Sequence, residues 1–407
     1  MVKYPVILSL ATLGNVAAEI SKSETIPTGD TFDVIALGDW GAPLSTSNVA
    51  AQGAVATIMA LWLEQNAYSD VFDLGDSLYW NGVIAENSVG RMQESFENVY
   101  TKVIEKQVCW SGVYGNHDLA GGAYLCIKPD VNITTDNPTR IACDKPSDVK
   151  AALQQHVDGQ RSYAQHNKLW HPKTPFYMRT FQKGQVTVDA FFVDMNSARV
   201  NGVSNICCQC YGQTDTKDCE SVVIGHPRCA DGKKDIAEAC IRVLDGWEAE
   251  SLKLLQDKAC SSKADHKVLI SHYNVLLHLT EERRDQWIKT LTTCGVTLSV
   301  SGHTHGMAQH EHSGITFVTS GNGGGRPAED VFEPVLGTTV WKPTNLNYGF
   351  TALSFTKESI VVQYVVLKDG SKIGATTAGN QIEGYQVLHS ITLPKAGAPQ
   401  GRPNLCL

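Results

Sequence analysis

The chain predicts an α/β protein. Short apolar runs recur along it, and most of the early ones stop at a glycine followed by a polar residue. Helical segments stand between several of these runs, which is the alternation of α/β folds. A content of 42% hydrophobic against 19% charged residues supports a substantial core. Its 407 residues are enough for one large domain or two ordinary ones.

Asp33-Val34-Ile35-Ala36-Leu37 is a buried strand that delivers Asp39 at its carboxyl end, in Gly38-Asp39-Trp40-Gly41. Residues 49–65 form a long Ala-rich apolar helix. Val71-Phe72-Asp73-Leu74 is the next strand and runs into Gly75-Asp76-Ser77-Leu78-Tyr79. Residues 91–104 read as an amphipathic helix. Val108–Tyr114 is a strand stopping at Gly115-Asn116-His117-Asp118. Lys267–Ile270 ends at Ser271-His272, and Val296–Val300 ends at Gly302-His303-Thr304-His305. After Gly314 the helices thin out. Ile315–Thr319, Gly349–Phe355, Ser359–Val366 and Gln386–Leu393 read as strands of a second sheet packed on the first. No internal repeat interrupts the series, so one domain is expected over residues 33–394, with a Cys-rich insertion near 200–240.

The ends and the cysteines point to export. Lys3, the apolar residues 5–14 and the small residues Val16-Ala17-Ala18 form a signal-peptide pattern over residues 1–18, followed by a linker over 19–32. The apolar stretch is too short to span a bilayer stably, and the Pro/Gly-rich tail over 395–407 is no anchor. Twelve cysteines, six of them between Cys207 and Cys240, read as a disulfide-stapled segment more readily than as a zinc knot. Asn132-Ile133-Thr134 is a glycosylation sequon. The expected location is therefore secreted, extracellular or endolysosomal, without membrane attachment. A net charge of −8 argues against nucleic acid and favours small phosphorylated substrates or phosphoproteins. The chain is expected to be a monomer.

Each motif taken alone is weak, because Gly-Asp is a common turn and an isolated Tyr or His is usually structural. His310 and His312 fall in that structural class. The ordered set is more specific. It supplies Asp39, Asp76, Tyr79, Asn116, His272, His303 and His305 at strand ends, with His117 beside Asn116. Mixed oxygen and nitrogen donors of this kind suit two cations roughly 3.5–4 Å apart, with one carboxylate between them to offset their repulsion. A phenol with an ordinary pKa near 10 needs a strongly acidic trivalent ion to be held as phenolate in acid, which points to Fe(III) at Tyr79.

These motifs resemble the purple acid phosphatases, within the calcineurin-like metallophosphoesterases, and most closely the small tartrate-resistant acid phosphatases. Ser320-Gly321-Asn322-Gly323 and the helix containing Trp247 and Leu252 add to the likeness, which covers most of the chain beyond residue 18. The resemblance implies a four-layer α/β/β/α sandwich with two mixed sheets. It implies Fe(III) on Asp39, Tyr79 and His305, and a second divalent metal (Fe, Zn or Mn) on Asn116, His272 and His303, with Asp76 bridging. His117 would contact the phosphate and help the leaving group depart. Ser77 stands where the family often has Asn. Where it often has a second substrate-facing His this chain has Glu281, with His278 the nearest candidate. The activity implied is hydrolysis of phosphate monoesters by a metal-bound hydroxide. The alternatives are a phosphodiesterase using two divalent ions and a secreted binding protein without catalysis.

Overall fold

A computed structural model describes residues 30–43, 46–121, 125–126, 143–171, 173–208 and 223–395. Its strands, in chain order, are β1 (Phe32–Leu37), β2 (Asp70–Asp73), β3 (Cys109–Gly112), β4 (Tyr177–Lys183), β5 (Val186–Phe192), β6 (His266–Ser271) and β7 (Leu298–Ser301). They continue with β8 (Met307–His312), β9 (Ile315–Ser320), β10 (Thr338–Trp341), β11 (Gly349–Phe355), β12 (Ser359–Leu367) and β13 (Tyr385–Pro394). The helices are α1 (Asn48–Gln65), α2 (Ser88–Met92), α3 (Thr101–Glu105), α4 (Pro146–Tyr163), α5 (Ser204–Cys208), α6 (Lys234–Ala259), α7 (Val275–His278) and α8 (Glu281–Cys294).

Two mixed sheets form, in the orders β13-β12-β11-β1-β2-β3 and β10-β8-β9-β7-β6-β5-β4. Strand composition explains why they pack face to face. In β1, Phe32, Val34 and Ala36 enter the core shared by the two sheets, while Ile35 and Leu37 face the cluster that holds Trp62 of α1. In β6, Val268 and Ile270 enter the shared core, while Leu269 meets Leu252 and Leu255 of α6 and Trp287 of α8. Both strands are apolar on both faces, as strands covered on two sides must be. Helix, sheet, sheet, helix is the expected four-layer sandwich.

Two expectations about elements are corrected. The strands after Gly314 do not make the second sheet. Only β9, parallel to β7, and the short β10, antiparallel to β8, enter it, whereas β11 pairs antiparallel with β1 and is followed outward by β12 and β13. β11 is buried along its whole length, so it needs a sheet neighbour and α1 on its outer side, which the first sheet supplies. Residues 91–104 are also not one helix. α2 ends at Met92, a π turn covers Gln93–Glu97, and α3 begins at Thr101. The buried Gln52 amide donates to Ser95 O at 2.7 Å, and a side chain inserted against the backbone ladder is a recognised cause of such a break.

The parallel strands set the site. β1, β2 and β3 run parallel in one sheet, and β6 and β7 run parallel in the other. Their carboxyl ends carry all the candidate ligands, where open α/β sheets gather ligands. Four disulfides link Cys126–Cys143, Cys207–Cys240, Cys208–Cys229 and Cys260–Cys294, so four of the six clustered cysteines are cystines and not zinc ligands. Cys109 is a free, half-buried thiol. The signal-peptide pattern, the sequon at Asn132, Cys210, Cys219, Cys406 and the tail beyond Lys395 lie outside the described residues. No helix among the described residues is long and apolar enough to cross a membrane.

The Cys260–Cys294 bridge ties the end of α6 to the end of α8 across 34 residues. Replacing both cysteines by serine should cost about 3–4 kcal/mol through the freed unfolded chain. Urea denaturation of the oxidised protein checks this, and an unchanged midpoint would show that the bridge contributes nothing.

Candidate metal centre

Three of the ligand candidates sit in the left-handed backbone region although none is glycine: Asp39 (φ 58°), Asp76 (φ 50°) and His303 (φ 66°). Each is the residue at which a strand end turns. Such a conformation costs on the order of 1–3 kcal/mol per residue and persists where the surroundings over-determine it, commonly at functional sites. Hydrogen bonds across the strand ends do that here. Asp39 N–H donates to Gly75 O at 3.0 Å, Gly38 N–H to Ser320 O at 3.0 Å, and Gly302 N–H to His272 O at 3.0 Å. Gly75 (φ 91°) is required for a second reason: a Cβ there would stand 2.6 Å from Gly115 N and 2.9 Å from His272 Nδ1.

The seven ligand candidates converge in two groups. In the first, Tyr79 OH lies 3.1 Å from Asp39 Oδ1 and 3.4 Å from His305 Nε2, and His305 Nε2 lies 3.7 Å from Asp39 Oδ1. In the second, His272 Nε2 lies 3.1 Å from His303 Nδ1, 3.3 Å from Asn116 Oδ1 and 3.5 Å from Asp76 Oδ1. Ligand atoms of Asp76, His272 and His303 all fall within 4.8 Å of one another. Asp39 Oδ2 accepts from His303 N–H at 2.8 Å, and this bond joins the two groups.

The donor set fits cations. His272 Nδ1 lies 2.8 Å from Leu74 O; donating there, it presents an Nε2 lone pair to two oxygens that are themselves acceptors. Burial and the adjacent Asp76 charge push the Asp39 carboxyl well above its usual range. Burial works against the Asp76 carboxylate, yet His272 and His117 hold it below its ordinary value. Burial lowers His272, and burial with His278 and His272 lowers His303 well below its ordinary value, which favours the neutral imidazole that a ligand presents. Burial and the two carboxylates raise the Tyr79 phenol far above 10, so only a strongly acidic ion would hold it as phenolate. Two buried carboxylates facing bare imidazole nitrogens are an expensive arrangement that positive charge at their centre would relieve.

His117 stands beside this centre, half-buried. Its Nδ1 lies 2.9 Å from Trp80 O, its ring centroid 4.5 Å from that of Tyr79, and its backbone N–H donates to Asp76 Oδ1 at 2.9 Å. His278 is placed differently. Its Nδ1 accepts from Asn274 N–H at 2.9 Å, and its Nε2 meets Thr304 Oγ1 at 3.2 Å. With both nitrogens engaged and its ring 4.9 Å from that of His303, it buttresses the turn carrying His303. His310 is a core histidine, fully buried, with neither ring nitrogen hydrogen-bonded.

Several residues of the centre carry no signal in their own sequence neighbourhood. Glu329 Oε1 accepts from His305 N–H at 3.0 Å and lies 3.5 Å from His305 Nδ1, which orients that imidazole. Asp118, the fourth residue of the His117 motif, accepts from Gly115 N–H at 2.8 Å, Ser77 N–H at 3.1 Å and Gln160 Nε2 at 2.9 Å. It thereby ties the Asp76 loop to the Asn116 loop. Below them Lys173, with 1% of its side chain exposed, pairs with Asp73 and donates to Ser77 Oγ and Val113 O at 3.2 Å. Ser77 Oγ donates to Asp73 at 2.7 Å. The Ser at position 77 is thus accounted for as part of this ion pair. A separate cavity of about 720 Å³, lined by Cys109, Arg161, Arg179 and neighbours, includes none of these residues. Its Arg161 and Arg179 are already engaged, by Asp158 and Ser111.

The fold is of the metallophosphoesterase type. No family model matches the chain. It is similar to mouse tartrate-resistant acid phosphatase type 5, at 24% identity over 307 residues, 74% of each chain. Among solved structures it is similar to PhoD at 11% identity and a TM-score of 0.51, covering 91% of this chain and 71% of that one. Weaker likenesses are to purple acid phosphatase PPD1 of yellow lupin (12% identity, TM-score 0.49, 91% and 55% covered) and to GAP50, the anchor in the inner membrane complex of Plasmodium (13%, 0.48, 90% and 90%). The resemblance read from the motifs recurs in the similarity of the whole chain to tartrate-resistant acid phosphatase.

Lys173→Met should destabilise the chain by about 3–5 kcal/mol, because Asp73 would be left buried and uncompensated. Adding Asp73→Asn should recover part of that loss. Urea titration of the single and double variants measures both, and equal stability of Lys173→Met and the parent chain would refute the pairing.

Proposed function

We propose that the chain is an exported binuclear-metal acid phosphatase that hydrolyses phosphate monoesters. The observation that carries this is the convergence of seven oxygen and nitrogen donors from five strand ends, with Asp39, Asp76 and His303 held in the left-handed region. We assign Fe(III) to Asp39, Tyr79 and His305, a divalent ion (Fe, Zn or Mn) to Asn116, His272 and His303, and the bridge to Asp76. When bound, the two ions supply Lewis acidity, activating water and neutralising charge on the attacking and leaving oxygens. The chain's residues do the remainder. Leu74 O and Glu329 orient His272 and His305, and the Asp118 carboxylate holds the Asp76 and Asn116 loops together. A His117 that donates from Nδ1 to Trp80 O keeps Nε2 for the substrate, to bind the phosphate or pass a proton to the leaving oxygen. Since His278 is engaged at both nitrogens, we assign leaving-group assistance to His117 and a supporting task to His278.

The disulfides and the similarity to acid phosphatases support export. Fold likeness alone decides no chemistry. Metal analysis of the purified protein with a p-nitrophenyl phosphate assay across pH therefore tests the reading. Two metals per chain with turnover greatest in acid are expected; a rate that only rises toward alkaline pH would favour a diesterase with two divalent ions, and metal-free, inactive protein a binding function.

Tyr79→Phe should remove a visible phenolate-to-Fe(III) absorption band while far-ultraviolet circular dichroism stays unchanged. A colourless, iron-free parent enzyme of full activity would overturn the iron assignment. His117→Ala should keep both metals and the band but lower turnover about 10²–10⁴-fold. The loss should be greater for substrates with poor leaving groups. Loss of a metal ion in that variant would instead make His117 a ligand.

A further inference from the structure

The loop after β9 brings a cation to the rim of the metal centre. Gly323 N–H donates to Gly38 O at 3.0 Å and Gly325 N–H to Asp39 O at 2.8 Å. A Cβ on Gly325 would stand 2.7 Å from Asp39 O and 2.8 Å from Tyr79 Cε2, so the loop lies flat against two ligand candidates. This fixes the point at which Arg326 leaves the backbone. Its guanidinium carbon lies 4.4 Å from the Trp80 ring centroid. Trp80 is 37% exposed, and its ring lies 5.4 Å from that of His117 and 5.5 Å from that of Tyr79.

A guanidinium placed over a ring face in this way spends no N–H donor on the ring system's edge partners. Among the described residues Arg326 makes no hydrogen bond and no ion pair. Other cations nearby are engaged: Lys173 with Asp73, and Arg91 with Tyr79 O and Ser95. The Arg326 charge is felt at Tyr79, His117 and Glu329, so it stands beside the metal centre and beside the His117 assigned to the phosphate. A planar fork of five N–H donors matches a phosphoryl group bidentately. In a chain of net charge −8, such a local cation is what a multiply anionic substrate needs.

We propose that Arg326, held over the Trp80 ring, recognises a second phosphoryl group on the substrate, so that the site favours phosphomonoesters carrying a further phosphate near the scissile one. This rests on the phosphomonoesterase reading. The test uses non-hydrolysable probes, so it does not depend on turnover. Calorimetry would compare methylenediphosphonate with methylphosphonate on metal-loaded protein, parent and Arg326→Gln, with metal content matched. The diphosphonate should lose about 10–100-fold more affinity than the monophosphonate, as expected for charge-assisted hydrogen bonds. Equal losses would mean that Arg326 holds the scissile phosphate and would overturn the proposal, as would no loss for either probe. Turnover of p-nitrophenyl phosphate by the parent is read separately: its absence would remove the proposed activity, while the binding comparison would still decide the role of Arg326.

Discussion

Two carboxylates, Asp39 and Asp76, are buried to 0% and 1% exposure beside neutral imidazoles, and the architecture of the centre follows from that cost. A carboxylate removed from water is tolerated only if it is paired, hydrogen-bonded or bound to a cation. Backbone donors do part of the work, through His303 N–H on Asp39 and His117 N–H on Asp76. Burial still raises Asp39, because its strongest neighbour is another carboxylate. His272 Nε2, Asn116 Oδ1 and Asp76 Oδ1 crowd together, and with Tyr273 OH on Asn116 and His117 N–H on Asp76 no proton is left to link them to His272 Nε2. A pair of cations resolves the conflict, which is the physical reason for reading these residues as ligands.

Convergence must be paid in backbone strain, and rigidity underneath makes the strain tolerable. Asp118 binds the Asp76 and Asn116 loops to each other, while Lys173 draws Asp73, Ser77 and the Val113 carbonyl together. Trp40 donates from Nε1 to the same Asp73 at 3.0 Å, so the tryptophan of the first motif and the serine of the second meet on one carboxylate. A fully buried ion pair contributes little net stability compared with an apolar replacement. Its value here is positional: it fixes the height of the Asp76 loop against the end of β3.

Much of this was legible in the sequence because the information was local. Gly-Asp, Gly-Asn-His and Gly-His-x-His each place a donor within two residues of a strand end, and apolar runs reveal buried strands. The five strand ends, α1 and all seven ligand candidates were therefore visible. What stayed hidden depends on partners far apart in the chain. Lys173 lies 100 residues from Asp73, and Glu329 lies 24 from His305. The sheet assignment of β11 to β13 was also hidden, since β1 and β11 pair through Phe32 and Phe355, and no periodicity encodes which edge a late strand joins. Nor does amphipathicity over 91–104 foresee Gln52 reaching Ser95 O. His278 shows the same limit from the other side: it is the histidine nearest to Glu281, where the resemblance expects a substrate-facing one, and Asn274 and Thr304 engage both its ring nitrogens.

The two donor groups differ in hardness, and that difference gives the proposed chemistry its direction. Asp39 and Tyr79 contribute two oxygens with one imidazole, His305. Asn116, His272 and His303 contribute two imidazoles with one neutral amide. An ion of high charge is better served by anionic oxygen, and a borderline divalent ion by imidazole. Asp76, between them, belongs to both environments. On the proposed reading, a more acidic ion held by Asp39, Tyr79 and His305 would supply the stronger Lewis acidity there, and the asymmetry would favour activity in acid. The rim repeats the asymmetry at larger scale. Tyr79 leads directly to Trp80, Trp80 supports Arg326, and the Gly325 backbone is bonded to Asp39. The surplus positive charge of the rim thus stands on the side carrying the two anionic ligands, where the substrate's outer negative charge would otherwise be repelled.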